Sequence, residues 1–145
     1  MEIKFRYGIG IRNITLINAG DFGLVKHKVI GDDEVRTITV NMRVEPRAYM
    51  MGITESVQQQ LALPFLDKRK LVLSDGSIKE FDVVGPIIVK FKNRTASCNA
   101  VILTGSDESL IGAIPLEELD VVIHPQRQEL IVNPEHPYGA QLSMK

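Results

Sequence analysis

The stretch VNMRVEPRAYMMGITESV, residues 40–57, decides how this chain is interpreted, because it joins a strand pattern to a helix start through an unusual junction. Apolar Val40, Met42 and Val44 alternate with polar residues, as in a strand with one buried face. Further along, Thr54 is suited to capping a short helix. Between them lies Glu-Pro-Arg-Ala, residues 45–48, which places two charges and a proline where the chain should enter a core. The junction is therefore either a specialised site or what is left of one.

The composition is that of an ordinary globular domain. The chain has 145 residues, of which 44% are hydrophobic and 24% charged, enough for one domain with one core. Seventeen basic and eighteen acidic residues give a net charge of -1, and no Lys/Arg cluster is interleaved with aromatics, so we expect no nucleic-acid partner. No apolar run approaches the roughly 20 residues that cross a bilayer, and the N-terminal stretch shows no secretory signal. We therefore expect no membrane partner and a cytoplasmic location.

Residues that often bind metals or form covalent intermediates are sparse. His27, His124 and His136 lie far apart in the sequence, without metal-ligand spacing, so we expect no metal site and no cofactor. Cys98 is the one cysteine, which excludes an internal disulfide and fits a reducing compartment. Because it lies among apolar residues of a strand pattern, we interpret it as a buried structural thiol rather than a nucleophile.

Short strand patterns dominate the rest of the chain. Strands are predicted in IGIRNITLIN, LVKHKVI, residues 35–44, PIIVKFKN and SCNAVIL, with AGDFG as a turn between the first two. Two hairpins are predicted, KLVLSDGSIKEFDVV around Asp75-Gly76 and VVIHPQRQELIV around residues 125–128. TESVQQQLALP and PLEELD predict two short helices. About eight to ten short strands with two short helices indicate a small, mostly β barrel or sandwich.

The order of these elements resembles that of the retropepsin-like aspartic peptidases, in particular their small single-domain bacterial members. The resemblance covers roughly residues 9–134 and leaves 135–145 as a C-terminal tail. ITESVQQQLALP matches the short helix after the family's active-site turn, and LSDGSIKEF falls where members carry the flap that closes over substrate. The family's apolar–apolar–glycine motif falls on Leu110, Ile111 and Gly112. The resemblance implies an all-β fold, a closed acid-protease barrel with one or two short helices.

In this family the loop after the first long strand reads Asp-Thr/Ser-Gly-Ala, preceded by an apolar residue. The matching positions here are Val44, Glu45, Pro46, Arg47 and Ala48, so the flanking residues fit and the three residues that perform the chemistry do not. An aspartic peptidase needs two carboxylates that share one proton. A chain with one such loop supplies one carboxylate, so the resemblance implies a homodimer that brings in the second across a two-fold axis.

Each of the three replacements opposes catalysis. The Glu45 side chain is longer than that of Asp by about 1.5 Å, a large error for a proton-sharing pair. Pro46 has neither the hydroxyl nor the N–H needed to lock the loop. Arg47 places a permanent cation beside the carboxylate, which lowers carboxylate pKa values. We therefore expect a peptidase homologue with impaired or absent catalysis, in which Glu45 and Arg47 pair across the dimer axis.

The resemblance also implies which residues contact a ligand. The expected peptide or protein ligand would be bound by the loop, the flap tip and the glycine motif, namely Arg47, Ala48, Asp75, Gly76, Ser77, Ile111 and Gly112. Two alternatives stay open at this point. The chain is a working endopeptidase with Glu45 as the catalytic residue of an unusual dyad, or the likeness to the family is a coincidence among β-barrels.

Overall fold

The protein is described by a computed structural model over residues 10–144. Ile9, at the start of the predicted domain, and Lys145, at the end of the predicted tail, lie outside this range, as do residues 1–8, where no secretory signal is expected. The described residues form nine strands: β1 Gly10–Asn18, β2 Thr37–Val44, β3 Met51–Thr54, β4 Phe65–Val72, β5 Ile78–Phe91, β6 Arg94–Leu103, β7 Leu110–Ile111, β8 Val121–His124 and β9 Glu129–Val132. They also form three α-helices, α1 Ala19–Lys26, α2 Glu55–Leu61 and α3 Ala113–Leu119, and a 3-10 turn at Asp32–Glu34.

Six of the strands form a closed barrel in the order β1-β2-β7-β3-β6-β5, and pairing of β5 with β1 closes it. β4 extends this sheet beyond β5 as the outer strand of a long antiparallel hairpin. β8 and β9 form a separate two-stranded hairpin. The predicted all-β barrel with short helices is confirmed. Across residues 10–144, none of the helices has the length and apolar character needed to span a membrane.

Alternation along the strands supplies the barrel core. On β5, Ile87, Val89 and Phe91 are buried, whereas Ile88 is half-buried and Lys90 is exposed, as the sequence alternation predicts. The same cluster includes side chains from β1, β2, β3, β7, β9 and helices α2 and α3, among them Ile14, Leu16, Met42, Val44, Met51, Ile53, Leu61, Ile111, Leu119 and Leu130. Each such burial is worth about 1.5 to 3 kcal/mol relative to exposure, so this cluster is the main stabilising feature of the fold.

The helix predicted after the junction is confirmed. The Thr54 hydroxyl accepts a hydrogen bond from the Val57 N–H at 3.2 Å and so caps the first turn of α2. Val57 and Leu61 are buried, which fixes the helix against the barrel. The helix ends at Ala62, which adopts a left-handed conformation with φ 48°, two residues before Pro64.

Residues 19–30 differ from the prediction of a turn followed by a strand. They begin with helix α1, in which the Asn18 side chain accepts a hydrogen bond from the Asp21 N–H at 3.1 Å. Asp21 then accepts two hydrogen bonds from the Arg36 side chain, both at 2.8 Å. The sequence prediction was wrong here because two glycines weaken the helical pattern, and because the ion pair that holds α1 in place joins residues 15 positions apart.

Both predicted hairpins are confirmed. In the β4–β5 hairpin Val72 pairs with Ile78 across the turn, where Gly76 has a φ of 85°, a conformation that favours glycine. In the β8–β9 hairpin His124 pairs with Glu129. The second predicted helix is also present, but α3 begins at Ala113, two residues before Pro115.

Candidate functional site

The junction between β2 and β3 runs alongside strand β7. β7 lies parallel to the end of β2, with Val44 beside Ile111, and antiparallel to the start of β3, with Gly52 beside Leu110. A two-residue strand thus lies between the two strands that the junction connects. This arrangement brings residues 45–50 into contact with residues 110–114, which are some 60 positions away in the sequence.

Backbone hydrogen bonds fasten the junction to β7 and α3. The Glu45 N–H donates to the Ile111 carbonyl at 3.0 Å, and the Ala113 N–H donates to the Ala48 carbonyl at 2.7 Å. Within the junction, the Ala48 N–H donates to the Glu45 carbonyl at 3.0 Å and closes a tight turn. The loop is therefore held at both ends by main-chain contacts that do not depend on the identity of residues 46 and 47.

Glycine is needed at position 112 because there is no room for a side chain, and not because of its backbone conformation. Its φ of -99° is accessible to any residue. A Cβ atom at this position would lie 2.6 Å from the Ala48 carbonyl oxygen and would also collide with the Met50 carbonyl. The apolar–apolar–glycine motif at 110–112 therefore has a structural reason: a side chain would push the junction away from α3.

The side chains of Glu45 and Arg47 form an ion pair within one chain. Arg47 Nε lies 3.1 Å from Glu45 Oε2, and Arg47 Nη2 lies 3.2 Å from Oε1. The Glu45 side chain is 16% exposed and that of Arg47 50%. We expected this pair to form across a dimer axis, whereas here both partners belong to the same turn.

The environment of Glu45 favours its ionised form. Burial of the carboxyl raises its pKa, but the hydrogen bonds and positive charge of Arg47, together with the charge of Arg43, outweigh burial, so the pKa of Glu45 lies below its usual value. Arg47 therefore stabilises the Glu45 carboxylate as an anion and opposes its protonation. A proton-sharing carboxylate pair instead requires one of its two groups to hold a proton.

A cleft of about 250 Å³ opens next to the junction. Its lining comes from the junction, the start of β3, the outer hairpin strand β4, β6 and α3, and consists of Tyr49, Met50, Met51, Arg69, Cys98, Asn99, Ile114 and Pro115. Met51 is fully buried and Met50 nearly so, whereas Tyr49 is 64% exposed. The cleft thus has an apolar floor and offers an aromatic ring and a guanidinium at its surface.

Asp75, Gly76 and Ser77 lie apart from the junction, in the exposed turn of the β4–β5 hairpin. The Asp75 carboxylate accepts hydrogen bonds from the Ser77 hydroxyl at 2.6 Å and from its N–H at 2.9 Å, and these bonds lower the pKa of Asp75. The structure brings the predicted catalytic position, Glu45, together with the predicted ligand contacts Arg47, Ala48, Ile111 and Gly112. The roles of all these residues in ligand binding stay predictions.

Sequence reasoning missed Arg69, Asn99 and Ile114 as cleft residues. Arg69 lies in the pattern DKRK, which marks a solvated strand and carries no signal for a binding site. Its position beside Tyr49 follows from the pairing of β4 with β5, in which Arg69 opposes Phe81. Within residues 10–144, no group of three or more His, Cys, Asp or Glu side chains is placed to hold a metal ion.

Comparison with models of known protein families gives no match for this chain, and comparison with curated proteins gives none either. The likeness to retropepsin-like peptidases therefore stays a hypothesis that depends on the residues and the geometry described above.

Proposed function

We propose that this chain is a retropepsin-like barrel without peptidase chemistry that acts in the cytoplasm as a homodimer and binds extended peptide or protein segments. The observation that carries the proposal is the Glu45–Arg47 ion pair, which lies in the loop that the resemblance aligns with the family's catalytic loop. The cleft beside it, lined in part by Tyr49 and Arg69, is the surface on which a peptide would lie.

The loss of catalysis follows from the state of Glu45. Peptide hydrolysis by a carboxylate pair requires one ionised and one protonated group close together, so that one activates water while the other donates a proton. A carboxylate with a lowered pKa, hydrogen bonded twice to a guanidinium, is stabilised as an anion. Two such loops meeting at a two-fold axis would bring together two glutamates that are each already neutralised by an arginine.

Peptide binding is supported by the main-chain hydrogen bonds that hold the junction in place. The main-chain contacts of Glu45 with Ile111 and of Ala48 with Ala113 keep the loop in a defined position without a catalytic residue. Among residues 10–144, β4 is the outermost strand of its sheet and pairs on one side only, and Arg69 on this strand lines the cleft. An extended segment could pair with a strand edge through its backbone while its side chains enter the cleft, which is a common mode of peptide recognition.

The test measures hydrolysis and assembly. Wild-type protein is incubated with an unfolded protein substrate between pH 3 and pH 7, and its oligomeric state is measured by analytical ultracentrifugation. We expect a dimer and no cleavage. Cleavage that disappears in Glu45→Gln would instead establish the alternative function, an endopeptidase with a Glu45 dyad. A monomer at micromolar concentration would contradict the proposed assembly.

A second experiment restores the loop of an active peptidase. The triple variant Glu45→Asp, Pro46→Thr, Arg47→Gly is compared with Glu45→Asn, Pro46→Thr, Arg47→Gly, which has the same loop shape without the carboxylate. We expect the first variant alone to gain binding of a statine-type inhibitor or weak acid proteolysis. If both remain folded, dimeric and equally inert, the proposed relation of this loop to a catalytic centre is wrong.

A further inference from the structure

Arg94, the first residue of β6, is a buried cation. Its side chain is 1% exposed and is among the largest fully buried side chains of the described residues. One terminal nitrogen, Nη2, donates to the carbonyl oxygen of His136. The atoms Nε and Nη1 are buried and have no hydrogen-bond partner within residues 10–144. Since Nε carries one N–H and Nη1 carries two, most of the donors of this guanidinium are unused.

The segment that lies against Arg94 is the C-terminal strap, which we define as residues 133–141. The strap is held in place mainly by Asp120. The Asp120 carboxylate accepts hydrogen bonds from the Asn133 amide at 3.1 Å and from the Gln141 N–H at 3.1 Å. The same carboxylate lies 2.6 Å from His136 Nδ1. Asn93, next to Arg94, donates to the Pro137 carbonyl at 2.9 Å and fastens the strap to the β5–β6 turn.

None of these contacts neutralises Arg94. The oxygens of Asp120, the carboxylate of this cluster, are occupied by Asn133, His136 and Gln141. The contact that Arg94 does make is to a carbonyl, which carries only a partial negative charge. A guanidinium cannot shed its proton at any ordinary pH, and a buried charge without a counterion is strongly destabilising.

We propose that Arg94 is the anchor of an anion site beneath the C-terminal strap and that its ligand is a small oxyanion, a carboxylate or a phosphate. Guanidinium donors match the oxygens of such groups in geometry and charge, and charge-assisted hydrogen bonds are the strongest that proteins form. An oxyanion at Nε and Nη1 would give this buried cation the counterion that residues 10–144 do not supply. The site lies on the β5–β6 turn and does not depend on the junction at 45–48 or on its proposed function.

The site is tested by the anion dependence of thermal unfolding. The melting temperature of the full chain is measured at pH 7 in sodium acetate, sodium phosphate and sodium chloride at matched ionic strength. The variants are Arg94→Met, which keeps the length of the side chain and removes its charge, and Arg127→Met. Arg127 is an exposed arginine in the β8–β9 turn, paired with Glu129 at 3.2 Å, and serves as the matched control.

We expect acetate or phosphate to raise the melting temperature of wild type and Arg127→Met in a saturable way, because a ligand that binds only the folded state stabilises it. The rise should vanish in Arg94→Met. Comparison of acetate with phosphate identifies which oxyanion the site prefers. An equal rise in all three proteins would show a general salt effect and overturn the proposal, as would the lack of any rise in wild type.

Isothermal titration of wild type with the two salts keeps the proposal testable if Arg94→Met does not fold. Saturable binding that is weakened at least tenfold in Arg94→Lys supports the site, since lysine keeps the charge and loses the planar array of donors. Unsaturable heats up to high salt concentration, or equal affinity in Arg94→Lys, would refute it.

Discussion

The two oxygens of the Glu45 carboxylate face the Arg47 guanidinium of the same turn, at 3.1 Å from Nε and 3.2 Å from Nη2. The pair stands at the end of β2, where the junction crosses β7 and its backbone is fixed by Ile111. A carboxylate at this position is thus held as an anion by its own chain. This relationship opposes protonation of Glu45.

Removing the Arg47 cation should raise the pKa of Glu45. In Arg47→Met the carboxyl keeps its partial burial, which raises its pKa, and loses the hydrogen bonds and charge that now outweigh burial. The measurement is an NMR titration of the glutamate side-chain carboxyl carbons. Arg127→Met, which removes a distant arginine, should leave the Glu45 titration unchanged. An unaltered Glu45 titration in Arg47→Met would show that the pair does not form in solution.

Gly112→Ala should destabilise the protein by about 2 kcal/mol or more, the upper part of the range for overpacking a rigid site. The added methyl group would meet the carbonyl oxygens of Ala48 and Met50, which are backbone atoms that cannot rotate away. Urea unfolding measures the change. The control is Gly23→Ala in helix α1, where a Cβ meets nothing within 4 Å and alanine should stabilise by about 0.5 to 1 kcal/mol. Equal stability of the two variants would refute the packing argument.

Asp120→Asn should weaken the C-terminal strap in a pH-dependent way. The pKa of Asp120 is lowered from 3.8 to about 2. The hydrogen bond from the Gln141 N–H is the largest cause, and the hydrogen bonds of Asn133 and His136 add to it, whereas burial acts in the opposite direction. Because the folded pKa is depressed, the stabilisation is complete above the unfolded value near 3.8 and is lost as the pH falls through about 2. At pH 7 we expect a loss of about 1 to 3 kcal/mol, typical of hydrogen bonds to a charged group.

The predicted pH dependence is tested by urea unfolding of wild type and Asp120→Asn at several pH values between 7 and 2. The difference in unfolding free energy should shrink below pH 4. Asp107→Asn, a change in the exposed loop after β6, should have little effect at any pH. A constant difference for Asp120→Asn across the whole range would mean that its charge does not hold the strap.

Cys98 should be inert in the folded protein. Burial, with a smaller contribution from the charge of Glu118, raises the pKa of its thiol from 9.0 to about 12. Since the thiolate is the reactive form, alkylation by iodoacetamide at pH 8 should be roughly a thousandfold slower in native than in unfolded protein. Mass spectrometry follows the time course. Glu118→Gln, which leaves the burial in place, should accelerate the reaction only slightly, and a native rate near the unfolded one would contradict the assignment.

Much of the fold could be predicted from local sequence. The alternation at Ile87, Val89 and Phe91, the cap at Thr54 and the turn at Asp75-Gly76 all appear where they were predicted. Each of these signals acts between residues a few positions apart, through side-chain periodicity or the φ that a glycine tolerates. Helix α1 could not be predicted in this way, because Asp21 is fixed by Arg36, which belongs to another element.

The candidate site was predicted in part. The junction at Glu45 and the glycine motif at Gly112 were identified from their residues, and the structure places them in contact. Arg69 and Ile114, which share the cleft with Tyr49, were missed because their neighbours are determined by strand pairing rather than by sequence spacing.

The sequence by itself determined strands β1, β2, β5 and β6, the two hairpins, helix α2 and the presence of two opposite charges at the junction. Only the tertiary structure decided that Glu45 and Arg47 neutralise each other within one chain, that Arg94 is buried, and that Asp120 holds the C-terminal strap. The physical reason is distance along the chain. Periodicity and turn chemistry depend on adjacent residues, whereas burial and charge pairing depend on which distant segments the closed barrel brings together.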